Sequence, residues 1–111
     1  EVHTGDYHLV SADLRDVASL NATIFGGGPS GTPLLCRDTP TLIITECFLQ
    51  YLEDADVRAL LSWVHDAFPL SALISYDQIT PNDQFGRTMT AALTKRQCPL
   101  RGISACPNIT A

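Results

Sequence analysis

The sequence predicts an α/β fold, an incomplete parallel sheet with flanking helices. Three observations predict it. Short β-rich runs alternate with stretches at helical spacing in the order β-α-β-α-β-α, and such alternation implies parallel strands joined by right-handed crossovers. The run Thr41–Thr45, TLIIT, is apolar and rich in β-branched residues, as a strand covered on both faces should be. Val57, Leu60, Leu61, Val64 and Phe68 recur on one helical face, the best amphipathic pattern in the chain.

The elements follow in order. Tyr7–Val10 is a short β-rich run. From Asp16 to Ile24 the spacing is helical, with Val17, Leu20 and Ile24 on one face, and Asp13 or Asp16 caps the start. The loop GGGPSGTP, Gly26–Pro33, has the glycines of a phosphate cradle. No Gly-Lys-Ser/Thr follows and no helix opens after it, so it reads as a flexible surface connection. After Thr41–Thr45, the acids of Glu53-Asp54-Ala55-Asp56 sit in a first helical turn, where the macrodipole favours them. That helix, Glu53–Phe68, stops at Pro69. Ala72–Tyr76 is the third strand, and Thr80-Pro81-Asn82-Asp83 is a turn with a helix cap. Phe85, Met89, Ala92, Leu93 and Arg96 mark a third helix, Asp83–Arg96, and after Pro99 the pattern stops.

Composition excludes several function classes. At 111 residues and 45% hydrophobic, the chain wants to bury a core and suits one small domain or part of a larger one. A formal net charge of −5 argues against nucleic acid, and Lys95-Arg96 is too short a basic cluster to count. No apolar run is long enough to span a membrane. The N-terminus, Glu-Val-His-Thr, is no signal peptide, and without an initiator Met the chain reads as part of a longer protein. Cys36, Cys47, Cys98 and Cys106 form no CxxC, and His3, His8 and His65 complete no ligand pattern, so no structural metal is expected. Free thiols in a reducing cytoplasm are the expectation. The sequons Asn21-Ala22-Thr23 and Asn108-Ile109-Thr110 are then chance matches.

One feature of charge stands out. Glu46 lies in the middle of TLIITECFLQYL, Thr41–Leu52. An ionised carboxylate buried there without a partner would be costly, so it needs a ligand or a partner. Glu46 falls where the second strand ends, Asp13 just after the first, and Asp77 just after the third. Ligands of open parallel sheets bind at the carboxyl ends of strands. For Asp13 or Asp77 alone a helix cap or a solvated turn explains the acid equally well. Three acids at one rim suit a ligand that is cationic or rich in hydrogen-bond donors, and no GxGxxG is present for a dinucleotide. S-adenosylmethionine fits: it carries a sulfonium, an ammonium, ribose hydroxyls and an adenine amine, and no phosphate.

These residues carry a resemblance. SADLRD at Ser11–Asp16, Pro40-Thr41-Leu42 leading into Thr45-Glu46-Cys47, and Leu49-Gln50-Tyr51-Leu52 resemble the leucine carboxyl methyltransferases, as do SYDQITPNDQFGRTM at Ser75–Met89 and RQCPLRG at Arg96–Gly102. The likeness runs from about Tyr7 to Ile103, with separate motifs in order. It implies a Rossmann-like S-adenosylmethionine-dependent methyltransferase fold, with residues 1–111 the central part of one catalytic domain and 26–40 a variable loop. It implies Asp13, Leu14 and Glu46 as cofactor-binding residues. Leu14 would give the adenine an apolar face, Asp13 or its backbone would read the ring edge, and Glu46 would meet the polar groups near the methionine end. The implied partner is the type 2A protein phosphatase catalytic subunit, methylated on its C-terminal leucine carboxylate in the cytoplasm. Family members are several times longer. Their glycine-rich first loop, the acid after the following strand, and the N-terminal basic residues that meet cofactor and substrate have no counterpart here.

The implied chemistry asks little of acid–base groups. A leucine carboxylate is already ionised and attacks the sulfonium methyl in line, so positioning is the main task. Arg15 is the only cation near the rim that could clamp the carboxylate, or else a surface residue of the helix start. Cys47 reads as packing beside the strand end, and no catalytic residue is assigned. Two other functions fit. The sister carboxyl methyltransferase of tRNA wybutosine synthesis shares the pattern at Pro81–Gly86, although Arg96–Leu100 fits the phosphatase branch better. A non-catalytic interaction unit of the same fold is the third.

Overall fold

The computed structural model describes residues 2–4, 7–27, 31–78 and 81–103. In chain order the elements are β1 (Val2–Thr4), β2 (Tyr7–Leu9), α1 (Val17–Phe25), β3 (Thr41–Glu46), a 3-10 turn at Leu49–Tyr51, α2 (Asp54–Ala67), β4 (Ser71–Tyr76) and α3 (Gln84–Lys95). The chain forms two compact units, one of Glu1–Thr41 and Ala59–Ser71, the other of Leu42–Arg58 and Ala72–Ala111.

In the first unit, β1 and β2 pair antiparallel, Val2 with Leu9 and Thr4 with Tyr7. The β-rich run at Tyr7 was expected to open the parallel sheet. It pairs antiparallel with Val2–Thr4 in a separate two-stranded sheet instead, because that run is a partner close by in the sequence. Asp16 caps α1, its carboxylate accepting from the Ser19 amide at 2.9 Å. Leu20, Leu60, Ala67 and Phe68 are buried. Phe25, Trp63 and Phe68 pack as an aromatic trio, with Trp63 edge-on to Phe68 at 5.7 Å between ring centroids.

The second half of the Gly26–Asp38 stretch is pinned rather than loose. The Leu34 amide donates to the Ile24 carbonyl at 2.9 Å. Arg37 lies 3.9 Å over the Phe25 ring and donates to Asn21 Oδ1 at 2.9 Å and to the Ala67 carbonyl at 3.4 Å. Trp63 Nε1 donates to the same Asn21 oxygen at 3.2 Å. Asn21 is therefore a helical, hydrogen-bonded residue of the packing, unlike the surface loop a glycan acceptor requires. The second sequon lies outside the described residues.

β3 and β4 pair; all of their residues except the first of each, Thr41 and Ser71, belong to the second unit. The Thr41 amide donates to Leu70 O at 2.9 Å and the Cys47 amide to Tyr76 O at 2.7 Å, the same offset at both ends, so the strands are parallel. Thr45 Oγ1 donates to Ser75 Oγ at 2.9 Å on one face. The other face carries Leu42, Ile44, Ile74 and Tyr76, exposed by 57%, 66%, 52% and 69%. The sequence pattern called for helices on both faces; this face has no cover among the described residues. The observed sheet is two-stranded, compatible with a part of a doubly covered α/β fold.

Helix α2 carries Asp54 and Asp56 in its first turn, as its acids foretold. Asp83 caps α3, accepting from the Gly86 amide at 2.6 Å. Leu49, Gln50, Leu100 and Ile103 are buried. The Gly102 amide donates to the Gln50 carbonyl at 2.9 Å, and Arg101 pairs with Glu53 at 3.0 Å, fixing the segment after α3.

Candidate functional site

Glu46 is the last residue of β3, and its side chain is exposed. The expectation of a carboxylate buried in an apolar run fails for a local reason. The chain turns at Cys47, so the run TLIITECFLQYL is not one element. Thr41–Glu46 is strand, and Leu49 enters a separate turn. Cys47 has φ 48°, in the left-handed region that favours glycine. In that conformation its amide still closes the ladder onto Tyr76 O while the chain leaves the sheet. Cys47 is exposed, so it does not pack beside the strand end as expected; Cys36 and Cys98 are likewise exposed free thiols, and Cys106 lies outside the described residues.

The adjacent strand ends at the same edge. Ser75 Oγ accepts from Thr45 Oγ1 and donates to Asp77 Oδ2. Asp77 Oδ1 is buried and has no partner. Glu46 thus ends one parallel strand and Asp77 directly follows the other, at carboxyl ends in one unit, and a hydroxyl relay orients Asp77. The pair Thr45 and Ser75 is legible in the sequence only as hydroxyls at matching positions of ITE and ISY.

Asp13 and Leu14 belong to the other unit. Asp13 follows β2 after three residues without regular secondary structure, and its carbonyl accepts from the Asp16 amide at 3.0 Å. Its carboxylate is gripped by Arg15: Nη2 lies 2.6 Å from Oδ2, Nε 2.9 Å from Oδ1, and the Arg15 amide 3.0 Å from Oδ1. The Arg15 side-chain and amide hydrogen bonds hold the Asp13 carboxyl below its ordinary value of 3.8, at about 2. Leu14 is half-buried in the turn between them. Arg15 is thus forked onto a carboxylate of its own turn, a bond the DLR spacing permits but helical reasoning overlooks.

Two surface grooves lie away from these residues. One runs along α3 beside Ile103, the other follows Phe25 and Pro33–Asp38, and neither includes Asp13, Leu14 or Glu46. Among the described residues no group of three His, Cys, Asp or Glu is arranged for a metal ion, and no helix is long and apolar enough to cross a membrane.

No protein-family profile matches the chain. Individual proteins do. Leucine carboxyl methyltransferase 1 of Bos taurus is 34% identical over 93% of this chain and 29% of its own length. The Leucine carboxyl methyltransferase 1 homolog of Arabidopsis thaliana is 34% identical over 100% of the chain and 32% of its own length. The tRNA wybutosine-synthesizing protein 4 of Rattus norvegicus is 33% identical over 97% of the chain and 15% of its own length. The chain therefore spans about a third or less of these relatives.

Proposed function

The chain belongs to the leucine carboxyl methyltransferase family, and on that premise we propose that it supplies part of the S-adenosylmethionine rim of a carboxyl methyltransferase. The substrate in this reading is the C-terminal leucine carboxylate of the type 2A protein phosphatase catalytic subunit. The observation that carries it is the exposed Glu46 carboxylate at the carboxyl end of a parallel strand, the position at which open α/β sheets bind ligands.

The side chains present suit the cofactor. Glu46 offers an acceptor to the ammonium or ribose hydroxyls, and Leu14 an apolar surface to the adenine. Arg15 makes four hydrogen bonds to the Asp13 carboxylate, about the full acceptor capacity of that group. Asp13 is thereby fixed in orientation, and the backbone beside it is the part left to read the adenine ring edge. Bound S-adenosylmethionine supplies an electrophilic methyl group on a sulfonium. With the cofactor bound, its methyl group would pass to an already ionised carboxylate and leave a neutral thioether and a methyl ester, so no residue of this chain would need to move a proton. The chain's own contribution is binding and orientation, a source of up to about 7–11 kcal/mol in favourable systems. Because Arg15 is committed to Asp13, the cation that clamps the substrate carboxylate is sought elsewhere.

The rat relative gives a second reading, methylation in tRNA wybutosine synthesis. The acidic balance of the chain, −5, favours the protein substrate. Calorimetric titration of S-adenosylmethionine into the protein and into Glu46→Ala tests the rim. Affinity should fall by about 1–3 kcal/mol, the range for losing a charged hydrogen-bond partner. Equal affinities overturn the role of Glu46. Transfer of a tritiated methyl group to the phosphatase subunit supports the first substrate; transfer only to tRNA that carries the modified guanosine of wybutosine synthesis selects the second.

A further inference from the structure

No aspartate or glutamate follows Asp83, yet Arg87, Lys95, Arg96 and Arg101 all do, four of the chain's 7 basic side chains in a molecule of net charge −5. The structure gathers two of them on one groove of about 730 Å³ along α3. Arg87 and Lys95 lie eight residues apart along the helix, Thr94 supplies a hydroxyl, and Ala91 and Ile103 supply apolar surface. These α3 positions recur at helical spacing on one face. Arg101 is paired with Glu53, whereas neither Arg87 nor Lys95 has a carboxylate partner among the described residues. Arg87 donates to the Asn82 carbonyl, which leaves its charge uncompensated.

We propose that this groove docks an acidic, partly apolar peptide segment of a partner protein. The two cations are separated by eight residues of helix, about 12 Å of rise. That span exceeds a single phosphate or carboxylate and matches roughly four residues of extended peptide. Carboxylates so spaced would reach both cations while an intervening apolar side chain met Ala91 and Ile103. The apolar lining favours a peptide over a nucleic-acid backbone, which asks for a denser run of cations. The groove contains none of Asp13, Leu14 or Glu46, so the inference stands apart from the methyl-transfer reading.

Fluorescence anisotropy tests it, with the whole protein and a labelled extended peptide bearing two aspartates four residues apart around a leucine. Saturable binding is expected, weakening as ionic strength rises. Lys95→Glu should reduce affinity by about fivefold or more, since reversal turns an attraction into a repulsion. Lys95→Gln should give a smaller loss, and Arg58→Glu, the same charge change on α2, should leave binding unchanged. Circular dichroism of each variant reports that the fold is kept. Absence of binding, equal binding of a peptide with asparagines in place of the aspartates, indifference to both Lys95 substitutions, or preferential binding of a single-stranded RNA oligonucleotide would each overturn the proposal.

Discussion

Asp13 and Arg15 are two residues apart and hold each other in a fork that sets the acidity of the Asp13 carboxyl. The sign of the pH effect follows from the depressed carboxyl. Its contribution to the folded state is fully present above 3.8 and is lost as pH falls through about 2. Carboxyl NMR titration should therefore find Asp13 at about 2 in the native protein, and Arg15→Gln should return it towards 3.8. An unchanged titration in that variant would mean that something other than Arg15 sets the value. The acids themselves were legible: Glu46 ends one parallel strand and Asp77 follows the other, as the alternation of elements required. The grip of Arg15 and the relay through Thr45 and Ser75 were not, because both depend on rotamers and register that no periodicity encodes.

Elements tell a similar story. The helices were readable from apolar spacing and caps, and Asp16 and Asp83 do cap α1 and α3. The first strand was readable as extended but not in its partner, since period-2 alternation does not say which edge a strand joins. Gly86 shows a constraint that composition hides. A Cβ there would lie 2.6 Å from the Pro81 carbonyl oxygen and 2.7 Å from its carbonyl carbon, all backbone. The turn and the helix start approach too closely for any side chain. Gly86→Ala should destabilise the protein by about 1–3 kcal/mol, the usual cost of overpacking, read as a lower urea midpoint. A midpoint equal to the parent's would show that the Pro81 turn yields freely.

For the whole molecule, the balance of covered and uncovered apolar surface dominates. Leu42, Ile44, Ile74 and Tyr76 stand exposed on one sheet face, and the described strands β3 and β4 have no further partners in their sheet. Unpaired edges and apolar faces invite association, while ordering each residue still costs about 1–2 kcal/mol of backbone entropy. The 111-residue chain should bind the dye ANS and self-associate in sedimentation. A monomer with sharp cooperative unfolding and negligible dye binding would show that these faces are better covered than described. The sequence reads these strands as covered because β-branched apolar runs mark buried strands, and periodicity does not say what covers them. Three exposed thiols also turn the molecule into its own footprinting assay. Cys47 adjoins Glu46, whereas Cys36 and Cys98 are distant in sequence from Asp13, Leu14 and Glu46. Under limiting iodoacetamide, S-adenosylmethionine should slow alkylation of Cys47 and leave the rates at Cys36 and Cys98 unchanged, so that peptide mass spectrometry would locate the ligand from a single sample with two internal clocks.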